Sequence, residues 1–179
     1  VDTSRIVRKG KRLGIYFLEA GANQRPSVVI YDRSHSAIAE TALGEISWDG
    51  AFSGAGWFHV TGITPAISES AALLSMEAVM KARGKGLTVS CDLNHRKNLW
   101  KYGRKAQEVM TEIVKHVDIV MANEEDCQMA LGISADSDVE SGKMETDHYR
   151  RLTHKVLEQF PDIRKIAVTL RESHSADHN

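Results

Sequence analysis

Between residues 57 and 170 the chain alternates short apolar runs with longer stretches of helical periodicity, and this alternation restricts the fold more than any other feature. The runs at 57–62, 88–92, 118–122 and 165–170 are short, rich in β-branched or aromatic residues, and bounded by turn signals, as buried strands are. Between them, residues 68–83 predict a helix with Ser68 as N-cap, Ala71, Leu74, Ala78 and Ala82 on its packing face, and Gly84 and Gly86 as stops. Residues 104–116 predict a second, because Val109, Met110, Ile113, Val114 and Val117 form one apolar stripe. A third begins at Asn123, turns Cys127, Ala130 and Leu131 inward, and ends at Gly132. A fourth spans 147–160, with Tyr149, Leu152, Val156 and Phe160 on one side and Pro161 as its stop. Strands that alternate with helices predict an α/β, doubly wound, mainly parallel sheet with helices on both faces.

The earlier part reads differently. Residues 14–19 and 27–32 are two strand candidates separated by a polar loop containing Gly21 and Pro26, a hairpin that would add a small antiparallel β lid to the core. Residues 1–12 carry Arg5, Arg8, Lys9, Lys11 and Arg12 against one Asp2. With no interleaved aromatic they read as a solvated surface segment. Residues 33–56 are mixed, 134–146 form a polar surface connection, and 171–179 are a polar tail. The expected division is a lid segment and connection at 1–45 and an α/β nucleotide- and sugar-binding core at 46–179.

Bulk properties narrow the class. Lys+Arg 23 against Asp+Glu 24 leaves a net charge of −1, so the charge balance favours neither nucleic acid nor an anionic membrane surface, and any anion site is local. The two cysteines, Cys91 and Cys127, make no disulfide framework and no zinc pattern, which fits a reduced cytoplasmic setting. No apolar run reaches membrane-spanning length and the first residues lack a signal-peptide core. Val1 and Asn179 both fall in sequence that reads as interior, which suggests a chain incomplete at both ends. There is no G-x-x-x-x-G-K-[ST] phosphate loop, no complete dinucleotide fingerprint and no G-x-S-x-G elbow. His174 and His178, with Asp177 between them, would make a metal pair only on a helix, which a polar tail does not favour.

In a parallel sheet, ligands gather beyond the carboxyl ends of the strands. Three polar loops fall there: 94–98, 123–126 and 169–172. The first, Asn94-His95-Arg96-Lys97-Asn98, is the richest in donors. Arg96 offers a planar fork suited to carboxylate or phosphate, and Asn123 stands at a helix start. Each is weak alone, since Asn123 is also an ordinary N-cap and Arg96 could pair with a neighbouring carboxylate.

Six collinear segments, GIYFLE (14–19), RPSVVIYDR (25–33), WFHVTGI (57–63), CDLNHRKNLW (91–100), ANEEDC (122–127) and AVTLRES (167–173), together resemble the ribokinase-like (PfkB) carbohydrate kinases. Within that family the similarity is greatest to kinases of 2-keto-3-deoxygluconate. The resemblance implies ATP-dependent phosphorylation of a sugar-acid hydroxyl with Mg2+, in a cleft between the α/β core and the lid. A fructokinase or ribokinase type of sugar kinase, or a non-catalytic sugar- or nucleotide-binding module, are the alternatives. By the resemblance Tyr16, Tyr31, Arg33 and Arg96 touch substrate. Asn94, His95, Arg96, Asn123, Thr169, Arg171 and Glu172 face ATP, and Asp126 acts on the metal through water. Asp126 stands where the family's N-x-x-E element has glutamate, one methylene longer, and Arg171 stands where many ribokinases have glycine. Self-association through the lid, as a homodimer, is also implied.

Two guanidinium groups, Arg33 and Arg96, exceed what one transferred phosphate requires, which favours an acidic sugar unless one of them pairs with Asp32 or Asp92. The family's G-A-G-D segment, which carries the general-base Asp, is not found in the 179 residues. The chain alone is therefore expected to bind without catalysing phosphoryl transfer.

Overall fold

A computed structural model describes residues 2–134 and 144–169. In chain order, β1 (Ile15–Glu19) and β2 (Val28–Asp32) are followed by two short helices, α1 (Ala37–Glu40) and α2 (Trp48–Phe52). Then come β3 (Trp57–Thr61), α3 (Glu69–Gly84), β4 (Thr88–Asp92), α4 (Ala106–Val114) and β5 (Ile119–Ala122). The turn α5 (Glu124–Asp126) continues as a π-helical segment over Cys127–Leu131, and α6 (Met144–Gln159) leads to β6 (Lys165–Val168). β1 and β2 pair antiparallel, with Tyr16 opposite Tyr31. The other four strands form a parallel sheet in the order β3-β4-β5-β6. Each parallel step needs a crossover, and the helices between the strands supply it.

The strand residues sort cleanly by face. Val60, Val89, Cys91, Val120 and Ala122 are buried in one core cluster with Val79 and Ala82 of α3, Met110, Ile113 and Val114 of α4, Cys127 and Leu131, and Leu152 and Val156 of α6. The alternate residues Thr61, Asp92, Ile119 and Met121 are half-buried, His59 is exposed and Trp57 is 56% exposed. Ser90 is the buried exception on that side, and its Oγ accepts from Trp57 Nε1 and lies against His59 Nδ1, both at 2.8 Å. Among the described residues, then, one face of the sheet is packed by α3, α4 and α6 and the other is half-open. The alternation predicts helices on both faces, but right-handed crossovers between strands in sequential order all fall on one side.

Local chemistry accounts for the boundaries. Ser68 caps α3 as expected: its Oγ accepts from the Ala71 N–H (3.0 Å) and donates to the Ala39 carbonyl (2.7 Å), which also fastens α1 to the helix. α4 begins at Ala106, two residues later than the stripe predicts, because the Glu108 carboxylate accepts from the Lys105 N–H and fixes Lys105 as the cap. α6 begins three residues earlier than predicted and buries Leu152, Val156 and Phe160 as the spacing requires. The stretch read as mixed holds α1 and α2. Trp48 stacks on Phe52 at 5.2 Å and Phe52 meets Phe58 edge-on at 5.1 Å, which anchors α2 to the core.

Candidate active site

The carboxyl edge of the sheet is assembled by one close approach and a set of backbone donors. The Gly62 N–H donates to the Asp92 carbonyl at 2.8 Å, and a Cβ at position 62 would lie 2.0 Å from the Leu93 carbonyl oxygen, so only glycine lets the ends of β3 and β4 meet this way. Beyond β4 the chain turns at Asn94, whose φ is 37°. The Asn94 N–H donates to Asp92 Oδ1 (3.1 Å) and its side-chain amide donates to Thr61 Oγ1 (3.4 Å), which steadies that turn.

The second loop locks onto the first. Asn123 Oδ1 accepts from the Asp126 N–H at 2.7 Å while Asp126 Oδ2 accepts from the Asn123 N–H at 3.1 Å, a reciprocal capping box. The other oxygen, Asp126 Oδ1, accepts from the His95 N–H at 2.8 Å. Asn94, His95, Asn123 and Asp126 are thereby brought into one hydrogen-bonded group. Thr169 joins its border, because its N–H donates to the carbonyl of Ala122, next to Asn123. Arg96 is exposed, its Nη1 donates only to the His95 carbonyl at 3.3 Å, and no carboxylate among the described residues pairs with it.

Burial, with the negative charge of Asp126 added to it, raises the Asp92 carboxyl above the usual carboxylate range, and the Asn94 N–H, His59 and Arg96 only partly offset this. Burial, helped by the positive charge of Arg96, lowers the His95 imidazole below its ordinary range, against the pull of Asp126 and Glu125. The π-helical turn follows directly and ends at Gly132, left-handed at φ 72°. Turns of this type concentrate at functional sites. Cys91 and Cys127 are free and buried, and burial pushes both thiols up to about 12, so neither is a reactive nucleophile.

The lid holds a second group. Tyr16 and Tyr31 face each other across β1 and β2 with ring centroids 6.5 Å apart, and the Arg33 guanidinium lies 5.2 Å above the Tyr31 ring. No hydrogen bond, ion pair or ring contact joins this group to the carboxyl edge among the described residues. Arg171, Glu172, His174, Asp177 and His178 lie outside those residues.

The basic segment at 1–12 is largely exposed, as read, and is also tied to the body by its side chains. Lys9 pairs with Glu45, Arg5 donates to the Ala51 carbonyl, and Arg12 makes a two-pronged ion pair with Asp32. Arg12 and Asp92, read only as a surface cation and as a possible partner of the arginines, are the residues to which the sequence reading gave no site role. The register that pairs Ile15 with Asp32 places Arg12 just beyond the open end of the hairpin, a placement the sequence does not show. Asp92 reads as the end of the strand that feeds the donor loop, and its position there is the signal for a role at the edge. Among the described residues no three His, Cys, Asp or Glu side chains gather to hold a metal ion, and no helix is long and apolar enough to cross a membrane.

Comparison with known proteins places this geometry. The chain is 44% identical to the crystal structure of 2-dehydro-3-deoxygluconokinase from Thermotoga maritima, with a TM-score of 0.84, covering 98% of this chain and 51% of that one. A 2-dehydro-3-deoxygalactonokinase of Haloferax volcanii is 33% identical over 126 residues, 70% of this chain and 39% of the relative. A 2-dehydro-3-deoxygluconokinase of Bacillus subtilis is 33% identical over 102 residues, 56% of this chain and 31% of the relative. The chain thus spans about half the solved relative and under two fifths of either curated one. Residues 1–170 match the pfkB family carbohydrate kinases. Sheet order, loop placement and this match over nearly the whole length agree, and the chain belongs to the PfkB family of carbohydrate kinases.

Proposed function

We propose that these residues form the sugar- and phosphate-positioning part of an ATP-dependent kinase acting on a hydroxyl of a 2-keto-3-deoxy sugar acid, 2-keto-3-deoxygluconate being the leading substrate. The observation that carries this reading is the state of the two guanidinium groups. Asp32 is taken by Arg12, and Arg96 feels Asp92 only through space, with no carboxylate among the described residues in an ion pair with either Arg33 or Arg96, so both guanidinium groups stay open to anions. One transferred phosphate does not need two such forks, and a substrate carboxylate uses the second. The kinases with the highest identity above are named for sugar acids of this kind, which supports the choice.

In this reading Tyr16, Tyr31 and Arg33 hold the sugar acid from the lid. Arg96, with Asn94 and His95 at its base, bridges substrate and ATP phosphate. Asn123 and Thr169 border the nucleotide, with Arg171 and Glu172 beyond. The Asp126 carboxylate accepts one N–H at each oxygen, which leaves lone pairs for ordered water. That fits an indirect role toward Mg2+ carried on the nucleotide. Bound there, magnesium would neutralise charge on the phosphates.

The test is turnover by the full-length gene product with 2-keto-3-deoxygluconate and with fructose, for the natural protein and Arg33→Ala. We expect the acid to be preferred, and the substitution to lower kcat/KM for the acid by about 10–100-fold while changing that for fructose by less than about threefold. An unchanged preference would remove the carboxylate role.

A further inference from the structure

Arg12 lies on neither of the two groups described above, yet it is the most fully engaged cation on the lid. Its Nη1 donates to Asp32 Oδ1 and its Nη2 to Asp32 Oδ2, both at 2.7 Å. The same two nitrogens donate at 3.1 Å to the carbonyls of Ser34 and Asp32 respectively, the residues on either side of Arg33. The Arg12 carbonyl accepts from the Ala37 N–H at 2.9 Å, so the arm that carries it is tied down as well. Gly10 allows this approach: φ there is 73°, and a Cβ would lie 2.8 Å from the Ala37 Cα.

We propose that Arg12 is a positioning residue for Arg33, holding the backbone on both sides of it and occupying the Asp32 carboxylate that would otherwise compete with the substrate for its guanidinium. The inference rests on the reading of Arg33 as the carboxylate-binding cation. The geometry separates the two arginines by task. Arg12 has both carboxylate oxygens and two carbonyls, whereas Arg33 has an aromatic face and no carboxylate partner among the described residues. Lysine at position 12 would keep the charge, but a single ammonium cannot span four acceptors in a planar fork.

The experiment uses the full-length gene product and steady-state kinetics with 2-keto-3-deoxygluconate, alongside thermal melting of every variant. Arg12→Ala is expected to raise KM about tenfold with kcat within about twofold, because a freed Asp32 blocks ground-state binding of the acid. Asp32→Asn is expected to stay within about threefold of the natural KM, and Arg12→Ala combined with Asp32→Asn to recover most of the loss, since the competing charge has gone. Arg12→Lys should fall between, and it carries the test if Arg12→Ala does not fold: a raised KM at constant kcat supports the proposal and an unchanged KM overturns it. A double variant no better than Arg12→Ala would reduce Arg12 to lid scaffolding and overturn the proposal. Arg33→Ala separates the failures. If it raises KM and Arg12→Ala does not, only this inference falls; if it leaves KM unchanged, the reading beneath falls too.

Discussion

Asp118 is the carboxylate on which two strands begin. Its side chain is 9% exposed; Oδ2 accepts from the Val89 N–H at 2.8 Å, and Oδ1 accepts from Arg164 Nε and Nη2 at 3.1 and 2.6 Å. Burial alone would raise its pKa, but the Val89 N–H and the Arg164 guanidinium outweigh burial and hold it below the ordinary value. A depressed carboxyl stabilises the fold fully above its unfolded pKa, about 3.9, and that contribution is lost as pH falls through the folded value. Asp118→Asn keeps an oxygen to accept the Val89 N–H but loses the charge that strengthens that bond and holds Arg164, so it should cost about 1–3 kcal/mol at pH 7, little of it from the largely solvated Arg164 side chain. Urea midpoints of the two proteins should converge as pH drops below about 4. A gap that persists undiminished at pH 3 would show that the charge of Asp118 is not what matters.

Among the elements, the junction between β3 and β4 depends on Gly62. Replacement by alanine drives a methyl carbon to 2.0 Å from the Leu93 carbonyl oxygen, and that oxygen is backbone with little room to yield. Gly62→Ala should destabilise by about 2 kcal/mol or more and disturb the turn at Asn94, read as a lower melting temperature. A melting temperature within about 2 °C of the natural protein would contradict the close approach. Other elements were legible for equally local reasons. α3 announces itself through Ser68 and the four-residue spacing of Leu74, Ala78 and Ala82, and the capping residue Asn123 could be read directly as a helix start. α1 and α2 could not be read, because four or five residues never complete the repeat that reveals a helix and are fixed instead by Ser68 and Phe58 reaching across from the core. The same limit hid the pairing of Arg12 with Asp32: it depends on hairpin register, which the polar loop at 20–26 leaves open in sequence. For the carboxyl edge, alternation predicted where the loops fall, but not that Asp126 would bind the N–H groups of both His95 and Asn123.

For the whole molecule, binding and chemistry are expected to separate. The 179 residues hold the lid pair and the edge loops but no Gly-Ala-Gly-Asp segment, so in our reading they lack the base and anion-hole donors of phosphoryl transfer. The 179-residue polypeptide is predicted to give no magnesium- and sugar-dependent ADP release in a coupled assay. Turnover above the sugar-free blank would overturn that division. The half-open face of the sheet has a use of its own. Trp57 stands on it, 56% exposed, with its indole N–H fixed on Ser90, whereas Trp48 and Trp100 are half-buried against the core. A rigid indole on that surface is a built-in optical probe: whatever comes to cover this side of the sheet will shift its emission to the blue and shield it from iodide quenching, with no label attached.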